Sequence, residues 1–132
     1  MKKHIFFSYL ILGGESTYHK YEWIKWVVNH HEKLDGSGYP CGKREKDLDL
    51  FSRILQVADI IVALSEDRPY RKGMTLQDAV SILDNDVKNG KLDFDVVKVL
   101  KNLIKNGFYP IIDDGISEHI LEELKKKTSN IF

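Results

Sequence analysis

Apolar positions along this chain recur at helical spacing almost throughout, and strict alternation is rare. KHIFFSYLIL predicts a short apolar helix over residues 3–12, closed by Gly13-Gly14. Ser16 or Thr17 then caps a second helix that runs to about Glu32. Its apolar residues fall on two overlapping stripes, Trp23–Trp26–Val27 and Ile24–Val27–Val28. Residues 33–47 are rich in glycine and charge and predict a loop. The run FSRILQVADIIVAL predicts a long third helix, from near Leu48 to about Glu66, expected to be the most buried element. RPYRKGM follows as a loop. Thr75 with Asp78 resembles a capping box, with Asp in place of Glu, and opens a fourth helix to about Asn89, where Gly90 suits the C′ position. Asp93 caps a fifth helix that Gly107 ends. FYPIIDDGI reads as loop, and Ser117 starts a last helix through Lys127. Lys125 to Lys127 close that helix, where cations complement its dipole. The prediction is one all-α domain of about five to six helices over residues 1–132.

Composition narrows the picture. The 132 residues can enclose one sizeable core, and 42% apolar with 30% charged content is ordinary for a globular protein. A net charge of zero argues against a nucleic-acid polymer or an anionic membrane as partner. An anionic ligand would have to meet a local basic cluster. Cys41 is the single cysteine, so no internal disulfide can form, and a reducing compartment fits. MKKHIFFSYLILGG has the basic start and apolar run of a signal peptide. The run from Ile5 to Leu12 is short, however, Ser8 and Tyr9 interrupt it, and no small-residue cleavage site follows. No segment approaches the roughly 20 apolar residues of a membrane span. The expected compartment is the cytoplasm.

Candidate chemistry concentrates in HHEKLDGSGYP, residues 30–40. Neighbours on a helix sit about 100° apart. His30 therefore continues the Trp23–Trp26–Val27 stripe and His31 the Ile24–Val27–Val28 stripe. Both point near the buried side but diverge, a poor arrangement for chelating one ion together. It suits two ions side by side, or one ion and one phosphate oxygen. Paired metals about 3.5–4 Å apart are a common device for phosphodiester hydrolysis. The competing reading is a plain helix end with one histidine packed and one solvated. In DGSGYP, Gly36 and Gly38 permit positive φ and Pro40 fixes the chain behind Tyr39. Such a loop presents an aromatic ring at a defined place, unless it is an ordinary surface turn. Asp59 lies inside VADIIVAL, and a buried lone carboxylate needs a metal, a cation or backbone donors. A hydrogen bond to a helix end or an arginine would also satisfy it. Arg68, Arg71 and Lys72 form a compact basic group whose guanidinium forks suit phosphate oxygens. Salt bridges to Glu66 and Asp67 are the alternative use. His4 alone reads as a frayed terminal histidine, and His19, His119 and Cys41 carry no recognisable spacing.

HHEKLDGSGYP resembles the HHExxDGxGYP signature of HD-GYP domains, and RILQVADIIVALSEDRPYRKGMTLQDAVSIL is similar to the segment that follows it there. KHIFFSYLIL resembles an earlier helix of that family, and the likeness covers about residues 2–105, leaving 108–132 as a C-terminal helical extension. The resemblance implies an all-α HD-domain-like bundle that hydrolyses cyclic di-GMP with iron or manganese. It implies His4, His30, His31 and Asp59 as metal ligands, Tyr39 as a ligand contact, and Arg68 and Arg71 at the phosphates. Glu32, Asp35, Gly36, Gly38 and Pro40 complete the motif loop. The family's His-Asp dipeptide occurs nowhere in the chain. The resemblance therefore implies a domain truncated at its N-terminus, with an incomplete binuclear site and little activity alone. Val62 stands where many members carry an acid, with an expected effect on packing. Removing covering helices would expose Ile5, Phe6, Phe7, Trp23 and Trp26, which predicts a homodimer through the N-terminal helices. The alternative function is a non-catalytic module that binds a cyclic dinucleotide or a diguanylate cyclase domain.

Overall fold

The structure, a computed structural model, describes residues 3–107. Within them six α-helices follow one another: α1 (Lys3–Ile11), α2 (Glu15–Tyr18), α3 (Glu22–Asn29), α4 (Leu50–Ser65), α5 (Leu76–Lys88) and α6 (Phe94–Lys105). A single 3-10 turn, Glu45–Asp47, precedes α4. Isolated bridges Asp35–Arg44 and Arg68–Arg71 are the extended pairings among the described residues. The all-α expectation holds there. The helix expected from Ser117 to Lys127 lies outside the described residues.

The predicted caps are found where side chains can reach orphan amides. Thr75 accepts from the Asp78 amide and Asp93 from the amides of Asp95 and Val96, opening α5 and α6. The Asp78 carboxylate accepts from the Thr75 hydroxyl at 2.9 Å. Gly90 and Gly107 follow the ends of α5 and α6 with φ of 71° and 89°. The predicted second helix is corrected. It starts at Glu15, ahead of both expected caps, breaks after Tyr18 and resumes at Glu22. It then stops at Asn29, three residues short of Glu32.

Two apolar clusters hold the elements. Val57 and Ile61 of α4 meet Ala79 and Leu83 of α5, Leu92, and Val97 of α6. Each fully enclosed aliphatic side chain there contributes roughly 1.5–3 kcal/mol. Val62 packs against this cluster, in keeping with its expected packing role. Ile5, Ile24 and Val28 form the second cluster, with Tyr39 leaning on it. α4 joins the two halves because it packs on α3, α5 and α6. It is not buried all round, however. Ser52, Gln56, Val57 and Ile61 are buried, while Leu50 and Phe51 stay 59% and 56% exposed. Of the apolar residues expected at the surface, Phe6, Phe7 and Trp23 are exposed. Ile5 is instead buried against Ile24, and Trp26 is half-buried, stacked on Phe51 with ring centroids 4.5 Å apart.

Polar bonds set the seam between α3 and α4. Asp49 accepts from Ser52 N at 2.8 Å, capping α4, and from Trp26 Nε1 at 2.9 Å, holding α3. Arg53 reaches from α4 to Asp93 at 2.9 Å and to the carbonyls of Leu48 and Glu45. It thereby fastens the first turn of α4 to the cap of α6.

Candidate metal centre

Three imidazoles converge where α1 passes the end of α3. One ligand nitrogen from each of His4, His30 and His31 lies within 4.8 Å of the others. His4 Nε2 and His31 Nε2 are 3.0 Å apart, and the rings of His30 and His31 have centroids 4.0 Å apart. The divergence expected of the histidine pair is therefore corrected. It assumed a continuous helix, but α3 ends at Asn29, His30 is the C-cap and His31 already lies in a turn. Leaving the helix brings the second ring back beside the first.

The donor set suits a divalent cation. Two nitrogens 3.0 Å apart match adjacent ligands around an ion held at about 2.1 Å. His30 Nδ1 donates to the Val27 carbonyl, which fixes its tautomer and leaves Nε2 as the lone-pair donor. Burial, with the nearby His30 and His4, holds His31 below the ordinary histidine value, while Asp59 pulls the other way. A neutral imidazole is the form that ligates metal. Asp59 is not part of this set. It is half-buried on α4, not enclosed as the apolar run suggested, and its charge acts on His31, Tyr39, Lys33 and Arg68.

The GYP loop folds over the imidazoles. Tyr39 N donates to the His31 carbonyl at 3.2 Å, and the Tyr39 ring stacks on His31 with centroids 4.9 Å apart. Burial first, then the Asp59 charge, push the Tyr39 phenol up, so it stays a neutral hydrogen-bond donor. Gly36 uses its freedom, at φ 82°, but Gly38 does not adopt positive φ. Gly38 is needed for another reason. A Cβ there would sit 2.4 Å from Lys33 N and 2.5 Å from the Glu32 backbone. Asp35 accepts from the amide and hydroxyl of Ser37 at 2.9 and 2.6 Å, bonds that lower its own titration. Pro40 is exposed behind the tyrosine.

Glu32, read from sequence only as part of the motif, anchors this loop. It is fully buried, and its two oxygens accept from Cys41 N at 2.7 Å and Lys43 N at 2.9 Å. Lys43 Nζ then donates to Asn29 Oδ1 at 3.0 Å, tying the loop back to the last residue of α3. The sequence signal for this role was a single acid between two histidines and a glycine turn, which does not say whether it faces ligand or backbone.

The basic group divides. Arg71 donates to the Ala63 carbonyl at 2.8 Å and so closes the end of α4. Arg68 is exposed, and its bond to Tyr70, itself 81% exposed, raises its titration further. Lys72 is exposed. Among the described residues no ion pair joins these cations to Glu66 or Asp67.

Residues 3–96 match the family described as HD domain. Over 76 residues the chain is 46% identical to 3'3'-cGAMP-specific phosphodiesterase 1 of Vibrio cholerae, covering 58% of this chain and 18% of that protein. It is 33% identical over 84 residues to a cyclic di-GMP phosphodiesterase of Pseudomonas aeruginosa, covering 64% and 19%. A cyclic di-GMP phosphodiesterase of Thermotoga maritima is 32% identical over 92 residues, 70% of this chain and 24% of that one. The chain thus spans about a fifth of the length of the curated relatives it matches. No helix among the described residues is long and apolar enough to cross a membrane. With the match extending from the helix that carries His4 through the motif loop to α6, the chain belongs to the HD-domain family.

Proposed function

We propose that this chain supplies the HHE–GYP part of a metal-dependent phosphodiesterase of the HD-GYP type, acting on a cyclic dinucleotide such as cyclic di-GMP. The observation that carries the reading is the convergence of His4, His30 and His31 beneath Tyr39. His4, His30 and His31 would hold a divalent ion, iron or manganese, with Asp59 adding the negative oxygen that neutral imidazoles lack. When bound, such an ion supplies Lewis acidity for phosphodiester hydrolysis.

The chain's own groups do the rest. Tyr39, fixed over His31, donates its phenol proton to a ligand oxygen and offers its ring as a wall. Arg68, exposed at the surface beside Tyr70 and within reach of the Asp59 charge, meets a phosphate as a charge-assisted donor. Arg71 serves by holding the turn that presents Arg68, so its place in the ligand site is indirect. Glu32 and Gly38 fix the loop so that Tyr39 needs no reordering when ligand arrives.

Among the described residues the converging set is three imidazoles with no carboxylate, and this favours a second reading, a module that binds a cyclic dinucleotide or a diguanylate cyclase domain without turnover. Phe6, Phe7, Leu10, Ile11 and Trp23 are all more than 40% exposed. That apolar surface suits a homodimer contact in the cytoplasm. Metal content per chain decides first, on protein purified without oxygen beside His31→Ala. Near-stoichiometric iron or manganese in the parent, lost in the variant, is expected. Equal and negligible metal in both, on folded protein, would remove the catalytic reading. Cyclic di-GMP binding by calorimetry with Tyr39→Ala as control, followed by a hydrolysis assay on the metal-loaded chain, then separates a binding module, which binds without turnover, from an enzyme.

A further inference from the structure

An apolar groove of about 410 Å³ runs between α4 and α6, on the side of α4 that the core leaves open. Leu50, Ile54 and Ala58 form one wall, and Val99, Leu100 and Leu103 the other. Leu50, Val99 and Leu103 are 59%, 58% and 46% exposed, an unusual surface for aliphatic side chains lined up along two helices. Asp95 stands at the groove's far end, at the start of α6.

The described chain leaves α6 at Gly107, one turn beyond Leu103, with residues 108–132 still to follow. In that stretch Ile116, Ile120, Leu121 and Leu124 have the spacing of one helix face. Residues 117–127, as a helix, would measure about 16 Å, close to the length of the groove along α6. Residues 108–116 reach about 30 Å when extended, ample to turn back across the roughly 10 Å between packed helices. Charge fixes the direction. Antiparallel to α6, Lys125, Lys126 and Lys127 fall at the end where Asp95 stands, and Glu118 falls near Lys105.

We propose that residues 117–127 form an amphipathic helix that folds back antiparallel to α6 and fills the α4–α6 groove. The apolar face of α4 is then covered by the chain's own C-terminal segment. This inference stands independently of the catalytic reading.

The test places a cysteine on each side, Val99→Cys with Leu124→Cys, which the antiparallel register sets opposite each other, in the full chain carrying Cys41→Ser. Mild oxidation is expected to give a monomer lighter by two hydrogens, with both thiols consumed. Val99→Cys with Glu122→Cys, whose second position points off the apolar face, is expected to react at least tenfold more slowly. Disulfide-linked dimers alone would overturn the proposal in favour of a second copy in the groove. Free thiols in a variant with wild-type circular dichroism would overturn it outright.

Discussion

Replacing Glu32 with glutamine tests the anchor of the GYP loop with almost no change of shape. Glu32 is fully buried and offers one carboxylate oxygen to each of two loop amides, at 2.7 and 2.9 Å. Hydrogen bonds to a charged partner contribute about 1.5–3 kcal/mol each. Glutamine keeps one acceptor oxygen, now neutral, and turns an NH2 group toward the other amide. One bond is lost, two donors face each other in a buried place, and the surviving bond weakens. The expected cost is about 3 kcal/mol. For a chain of this size that corresponds to a fall in Tm of about 12 °C. Where the loop opens locally, the same figure raises amide exchange at Cys41 and Lys43 by about 100-fold. Hydrogen exchange read by NMR, with a thermal melt alongside, measures both. Wild-type protection at these two amides and a Tm within about 2 °C would refute the reasoning, because Glu32 would then not be what holds the loop.

Other substitutions separate neighbouring roles. Gly38→Ala drives a methyl into the Glu32–Lys33 backbone and should cost about 3 kcal/mol in urea unfolding, against about 1 kcal/mol for Gly36→Ala, which meets mainly the Arg44 side chain. Arg71→Gln should lower stability by about 1–2 kcal/mol through the lost bond to Ala63, while Arg68→Gln leaves the melt unchanged and weakens dinucleotide binding. Burial raises the titration of Asp93, but its bonds to Arg53, Val96 and Asp95 outweigh this and hold it below the ordinary 3.8. The unfolded chain therefore binds that proton more readily, so the Asp93 contribution is full above pH 3.8 and fades as pH falls through the native value. Stability curves of the parent and Asp93→Ala should run parallel near neutrality and converge in acid, and a gap that widened on acidification would contradict this.

How much was legible in the sequence varied with the length of the signal. Thr75 and Asp93 could be placed as caps because a cap is a local bond, decided within three residues. The end of α3 could not, because apolar periodicity continues through Val28 while the turn at Asn29 to Glu32 depends on the distant Lys43 bonding Asn29. That misplaced boundary alone separated the two histidines, and moving it brings them together. Asp59 looked enclosed because its neighbours in sequence are apolar, yet only the Val57–Ile61 face of α4 is covered. His4 had no local signal at all. Its partner lies 27 residues away, and only the family resemblance pointed to it.

The joint at Asp49 gives the molecule an optical gauge of its own. Of the chain's two tryptophans, Trp23 faces solvent, whereas Trp26 sits on Phe51 with its indole N–H on the carboxylate that also caps α4. The histidine pair follows directly on the helix bearing Trp26, and the helix bearing Phe51 carries Asp59. A shift of α3 against α4 that draws imidazoles and carboxylate together, or lets them part, slides one ring across the other. With Trp23→Phe in place, a single indole would report that sliding as a change in emission, with no label attached.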